Sequence, residues 1–309
     1  MNPNSSLSPN AVKTALDTIF FPEFNKDRLP QFATAETASV FNPATADRAA
    51  VIAEIFEGSG LWEDKGEEED IKGGTFKSKN PQTFTVGEMA RSLDVPRTFA
   101  ADAQFDLVNK GTKDMAMKGR VTRDNKSMAA YRGAFAATKT NDAKALVATD
   151  HPIKDAATVN NKLTSAFSES SLFDGTVVMT EMKSQDNVIA GCVASVLLVP
   201  PKLFKLACEV TKSTLRAGTG NNDMNFYSDL YALEVRQSNF LGAAAGGSDT
   251  AWFLLGDNHS VTRWVREDIW TTVVGWEFQR NNNYIYKGGF REVVGAMDYV
   301  GVVGSDGTV

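Results

Sequence analysis

The sequence predicts an α+β fold, and three observations carry that prediction. Strand-like segments crowd the C-terminal third, a stretch of helical period fills the middle, and a strand–Pro-Pro–helix unit joins the two. Strands and helices that segregate along a chain, instead of alternating, point to α+β layering. At 309 residues the chain can bury a sizeable core, as one large domain or two moderate ones.

Near the N-terminus Val12, Leu16, Ile19 and Phe20 recur at helical spacing after Pro9 and Asn10, which predicts a short amphipathic helix. Pro22 and Pro30 are expected to hold the following chain extended. A second helix is expected over about Ala44 to Phe56, with Ile52, Ile55 and Phe56 on one side and a stop at Gly58 and Gly60. Residues Glu63 to Asp70 carry seven charged side chains and belong on a surface. Phe76, Phe84 and Val86 then alternate with Lys and Thr around Asn80-Pro81, which predicts a long projecting hairpin with its turn there. A lone hairpin is marginal in water, so it and the N-terminal segment both call for a partner surface.

From about Arg97 to Ala137, Phe105, Val108, Met115, Met128, Tyr131 and Phe135 keep a helical period through Gly111, Gly119 and Gly133. A further helix is expected after His151-Pro152, with Val159, Leu163 and Phe167 four apart. The apolar run Val188 to Val199 predicts a buried strand and is too short to cross a bilayer, which takes about 20 residues. It meets Pro200-Pro201, and a helix over Lys202 to Arg216 fits Pro201 at its first position and Gly218 at its stop. Strands are expected at Leu230–Val235, Ala251–Leu255, Val261–Val265, Thr271–Gln279, Tyr284–Tyr286 and Phe290–Val303.

Several function classes find no support. The formal charge of −6 gives no global basic field to draw the subunit onto nucleic acid. There is no GxxxxGK[ST] loop, GxSxG elbow or HExxH pair, and Gly218-Thr219-Gly220 follows a helix where a dinucleotide site needs a strand. His151 and His259 lie far apart, and His151 has no partner in the sequence. No cofactor, metal or catalytic residue is expected, and Cys192 and Cys208 read as free thiols of a reducing cytosol. The N-terminus has no secretory pattern. Lys110, Lys113 and Arg120 share one side of the long helix and are the candidates for weak, sequence-independent contact with DNA.

The segments Ala148–Phe167 and Ala190–Ser213 resemble the major head subunit of Mu-type phages. The matching positions are His151, Pro152, Asn160, Val199, Pro200, Pro201, Leu203 and Ala207. NFYSDLYALEVRQSNFL, AWFLLGD and YIYKGGFREVVGAMDYVGVV follow in the same layout, so the resemblance spans about Ala148 to Val303. It implies the Hong Kong ninety-seven capsid fold: an N-arm, an extended hairpin loop, a peripheral domain with a long spine helix, and an axial domain. Mapped onto this chain, residues 1–41 are the arm, 42–64 a helix leading into the peripheral domain, and 65–93 the extended loop. Residues 94–171 are then the peripheral domain with the spine helix, 172–261 the axial domain, and 262–309 the C-terminal peripheral strands.

The implied protein is a major capsid protein that self-assembles into hexamers and pentamers of an icosahedral tailed-phage head around double-stranded DNA. It would assemble in the host cytoplasm, with scaffolding, decoration and portal proteins as further partners. Contacts between subunits are expected at Phe20, Phe21 and Phe24 of the arm, and at Phe76, Lys77, Lys79, Phe84 and Arg91 of the loop. Lys72, Lys77 and Lys79 lack any motif naming an acceptor, so no covalent cross-link is expected. Alternatives are an encapsulin-like shell around protein cargo, a soluble enzyme with a dispersed site, and a nucleic-acid-binding module.

Overall fold

A computed structural model describes residues 8–26, 28–56, 58, 61–62, 64–71, 73, 78–96, 98, 105–213, 225–229 and 231–308. Helix α1 (Pro9–Phe24) starts on Ser8, whose side chain accepts from the Ala11 amide, with Pro9 in the first turn where its missing N–H costs nothing. It runs through Pro22 to Phe24, two residues further than the extended chain expected there. An interior proline costs about 3 kcal/mol. Phe20 and Phe24 flank it and are both buried, worth roughly 1.5–3 kcal/mol each, so packing holds the last turn.

The expected helix over Ala44–Phe56 is instead two strands, β1 (Asn42–Thr45) and β2 (Ala50–Phe56). Strand β2 pairs antiparallel with β3 (Ser78–Thr85), so the hairpin is this β2–β3 ribbon, whose strands are joined through residues 57–77. Asn80-Pro81 lies inside β3, not at the turn; Asn80 has φ 32° beside the register shift between Ala53 and Ile55. A bulge supplies the kink that the Asn-Pro pair signals. Strand β4 (Gly87–Pro96) leaves the ribbon and joins a second sheet.

Helix α2 (Phe105–Arg132) is one unbroken element through Gly111 and Gly119 and ends before Gly133. After His151 the expected helix is absent. Val159 is in the short strand β6 (Thr158–Val159), which pairs with β5 (His151–Pro152), and Leu163 is in β7 (Lys162–Leu163). Helix α3 (Glu169–Thr180) begins only after Phe167, where Ser168 and Ser171 form a reciprocal capping box. Four-residue spacing of apolar groups without a cap at its head did not make a helix here.

Strand β8 (Ala194–Val199) runs into Pro200, and α4 (Pro201–Lys212) follows with Pro201 in its first turn. The expected stop at Gly218 lies outside the described residues. Then come α5 (Phe226–Asp229), β9 (Glu234–Gln237), β10 (Trp252–Gly256), β11 (Val261–Val274), β12 (Asn283–Ala296) and β13 (Val302–Ser305). Strands β11 and β12 each join two segments expected to be separate. Register shifts between Val265 and Trp270 mark where polar Arg266, Glu267 and Asp268 interrupt the apolar pattern of β11.

Two larger sheets organise the chain. The first has the order β7-β13-β10-β8-β9 and is buried on both faces. Leu197, Val199, Trp252, Leu254 and Val303 face α3 and α4, while Val196, Leu198, Phe253, Leu255 and Val302 face the C-terminal end of α2. The second has the order β1-β11-β12-β4. Its Tyr284, Tyr286 and Val95 pack under α1 and α2, with Val12, Leu16, Phe20 and Met115. Strand β13 therefore returns to the first sheet although its neighbours in sequence belong to the second. A smaller cluster of Ala46, Ala53, Val86 and Trp264 roots the ribbon on the second sheet.

Candidate assembly site

Three features project functional side chains: the ribbon, the α1–α2 junction and the outer side of α3. The ribbon root is fixed from within. The Phe84 ring stacks on Trp264 at 4.8 Å, in a space left by Gly295, where a Cβ would fall 2.1 Å from that ring. The Gln82 amide donates to the Lys139 carbonyl at 2.8 Å. Beyond the root, Leu61, Trp62 and Ile71 are exposed, Trp62 by 99%. Beside them Asp64, Glu67, Glu68, Glu69 and Asp70 are exposed as well. Large apolar groups held in water among carboxylates are what a surface awaiting a partner presents.

At the junction α1 lies across α2 where Gly119 admits Phe24; a Cβ there would sit 3.2 Å from the ring. Arg120 donates to the carbonyls of Glu23 (3.2 Å) and Lys26 (3.1 Å), capping the end of α1. Asp17 accepts from Thr271 and Tyr286, each at 2.8 Å, and pairs with Lys13 at 2.5 Å. Burial pushes its carboxyl up, but these hydrogen bonds outweigh burial and hold it below the usual range.

Beneath α1, buried Arg123 reaches Glu36 (2.6 Å), Asp268 (2.8 Å) and Glu292 (3.4 Å), with the Phe24 and Phe290 rings at 5.5 and 5.6 Å. Glu292 also accepts from Arg263 Nε at 2.8 Å and pairs with Arg263 Nη2 at 2.6 Å. Asp124 accepts from the Ala35 amide at 2.9 Å and forms an ion pair with Arg28 at 2.9 Å, and burial raises its pKa. A cavity of about 220 Å³ opens here, lined by Arg28, Arg120, Arg123, Asp124 and Arg236 among others. Arg236 bonds Glu234 and the Pro30 carbonyl. Each of these arginines thus holds the N-terminal segment to the body, which gives the cavity a structural reason to be polar.

The structure places the expected contact residues unequally. Phe20 and Phe24 are buried in their own subunit and offer no surface to a neighbour; α1 is docked on α2, not reaching outward. Phe84, half-buried, packs on Trp264 at the ribbon root, and Arg120, half-buried, caps α1. A helix or ribbon root with an apolar face finds its first partner within the chain. Phe21 is half-buried, and Arg91 on β4 and Lys110 and Lys113 on α2 are exposed. Phe76, Lys77 and the Lys79 side chain lie outside the described residues.

His151 does acquire a partner. Its Nδ1 is 2.7 Å from Asp142 and its Nε2 3.2 Å from Asn161, while its ring stacks on Tyr299 at 4.3 Å. Asn161 Nδ2 donates to the carbonyls of Leu146 and Val302, so it ties three segments together; Asn160, the position the resemblance marks, is exposed. His151 is fully buried, which makes it a fastener inaccessible to any substrate. The hydrogen bond from His151 helps hold Asp142 low against the upward push of burial.

The sheet pair, the long helix under one sheet and the rooted ribbon together define a capsid-type α+β fold. The chain belongs to the phage capsid protein family, whose model matches residues 80–305, and it is a structural capsid protein, not an enzyme. Among solved structures it is similar to the mature capsid of bacteriophage PhiM1, with a TM-score of 0.57 at 11% identity over 91% of this chain and 89% of that one. A phage-related protein from Bordetella bronchiseptica RB50 gives 0.55 at 12% identity over 96% of both chains. A virus-like particle from Pyrococcus furiosus gives 0.54 at 10% identity over 95% of this chain and 99% of that one. Identities this low show a shared fold. No curated protein matches the sequence.

Proposed function

We propose that this chain is the major shell subunit of a tailed-phage head, built on the Hong Kong ninety-seven plan of the Mu-type head subunits. Copies assemble as hexamers and pentamers of an icosahedral shell around double-stranded DNA, in the host cytoplasm. Scaffolding, decoration and portal proteins are its natural further partners. The axial part corresponds to the two-faced five-stranded sheet with α3 and α4, and the peripheral part to the second sheet with α2. Lys110 and Lys113 are the DNA-facing candidates that remain exposed; of the contact candidates Arg91 is exposed and Phe21 half-buried.

The observation carrying this reading is the β2–β3 ribbon, a two-stranded element rooted by Phe84 whose tip exposes Leu61, Trp62 and Ile71. A two-stranded ribbon buries too little to hold such a tip for its own sake. Laid across a neighbour, it adds one modest contact per copy, and many such contacts make a shell that forms reversibly and then holds. The family match favours a phage head over an encapsulin-like cargo shell, since the likeness to the archaeal particle is one of fold alone.

The test replaces residues 58–73 with a short Gly-Ser linker. This removes the tip while sparing β3 and β4, which pair with the body. The expected product is a folded, soluble subunit with unchanged circular dichroism that forms no closed shells. Normal particles from this variant would overturn the role given to the ribbon.

A further inference from the structure

The outer side of α3 carries an apolar groove. Phe173, Val177, Phe226 and Tyr231 line about 250 Å³ of open trough between α3 and α5, and Phe173 is 50% exposed. The Phe226 ring meets Phe173 edge-on at 6.2 Å and lies 5.7 Å from Tyr231, so aromatic rings line one wall of the trough. Helix α3 carries Glu169 and Asp174 and no basic residue, and Glu181 caps its end. Asp174 and Glu181 are exposed beside the trough.

Helix α4 is the counterpart. It lies on the same face of the five-stranded sheet, over β8 and β9, whereas α3 lies over β13 and β10. It carries Lys202, Lys205 and Lys212 against Glu209 alone. Leu206 is 40% exposed, one turn from Lys202 and next to Lys205, whose side chain stands almost wholly in water. One helix of this layer therefore offers an apolar groove with Glu181 in its lining and Asp174 on the same helix, and the other an exposed leucine flanked by Lys202 and Lys205, which within the subunit pair with Asp249 (2.5 Å) and Glu209 (3.6 Å).

We propose that the α3–α5 groove of one copy receives the Leu206 ridge of α4 from a second copy, with Lys205 set against Asp174 and Glu181. The inference rests on the capsid reading above and gives it a specific contact. Because the two surfaces differ, the contact is head-to-tail and links copy to copy, forming a ring where its rotation closes. Burying aromatic side chains in such a groove, with opposite charges at the rim, supplies affinity from the centre and register from the edge.

The experiment uses the full chain carrying Val177→Cys and Leu206→Cys in a Cys208→Ala background, assembled and treated with a short bis-maleimide cross-linker. Denaturing gels of the particles are expected to show a ladder extending beyond the dimer, absent from either single-cysteine variant. Particles that yield only monomer, or a product that stops at dimer, would overturn the contact while leaving the capsid reading intact. Phe173→Asp provides an independent arm, since half of its side chain is already exposed, with circular dichroism of the unassembled subunit as the check on folding. It is expected to give a folded subunit with at least tenfold fewer particles, and undiminished assembly would count against the proposal. If the parent chain forms no particles under any condition, the capsid reading itself fails.

Discussion

Glu292→Leu should be among the most damaging single substitutions in the molecule. Glu292 is buried on β12, accepts a hydrogen bond from Arg263 Nε at 2.8 Å and a longer one from Arg123, and forms an ion pair with Arg263 Nη2 at 2.6 Å. Removing one partner of a buried ion pair leaves the other charge stranded in a low-dielectric site, which costs about 3–5 kcal/mol. Arg123 keeps Glu36 and Asp268, both on the exposed side, so the stranded charge falls chiefly on Arg263. Against a total stability of roughly 5–15 kcal/mol, this is enough to lower Tm by on the order of 10 °C. Urea unfolding of the unassembled subunit, followed by circular dichroism, measures the loss. Adding Arg263→Met should recover part of it, because apolar groups then replace the whole pair. A loss below about 1 kcal/mol for Glu292→Leu would refute the reasoning, since Arg263 would then have reached water or another carboxylate at little cost.

Two further outcomes concern the α1–α2 junction. Gly119→Val should push the Phe24 ring away at a cost of about 1–3 kcal/mol, seen as faster amide exchange across residues 9–24 while α2 stays protected; unchanged exchange would mean that α1 is not held there. Asp17 is held below its ordinary pKa of about 3.9 when folded, so its contribution is complete above that value and is lost as pH falls through the folded pKa. Exchange of α1 should therefore rise first on acidification below about pH 4, and Asp17→Asn should flatten that dependence.

Much of the architecture was legible in the residues. The long helix and the strand–Pro-Pro–helix unit each have a strong local cause: a sustained period, and a proline where a helix starts. The hairpin was legible only as strand-like alternation beside a charged run; its turn and its partner strand were misplaced. The errors share a cause too. Ala50–Phe56 has apolar residues that suit a helical side, yet Val51, Ile52 and Ile55 are β-branched, and pairing with β3 decides the outcome. Val159, Leu163 and Phe167 look helical by spacing, but Asn161 between them is drawn into bonds with Leu146 and Val302 that no local pattern announces.

The candidate site was legible in its charges and not in its neighbours. Phe20, Phe24 and Phe84 are conspicuous as apolar groups near a terminus or in a hairpin. Nothing local says that Gly119 and Gly295 stand ready to receive Phe24 and Phe84 inside the same chain. The Arg123–Glu292 pair joins residues far apart in sequence and had no signal beyond charge within otherwise apolar runs. Asp142, by contrast, lies only nine residues before His151, and a polar turn that close to a histidine was a usable hint.

Self-assembly is the central claim, and electron microscopy of the purified full chain beside its size-exclusion profile tests it most directly. Closed shells, tubes or rings of several subunits are the predicted result. A monomer that persists at every salt and protein concentration tried would contradict the account.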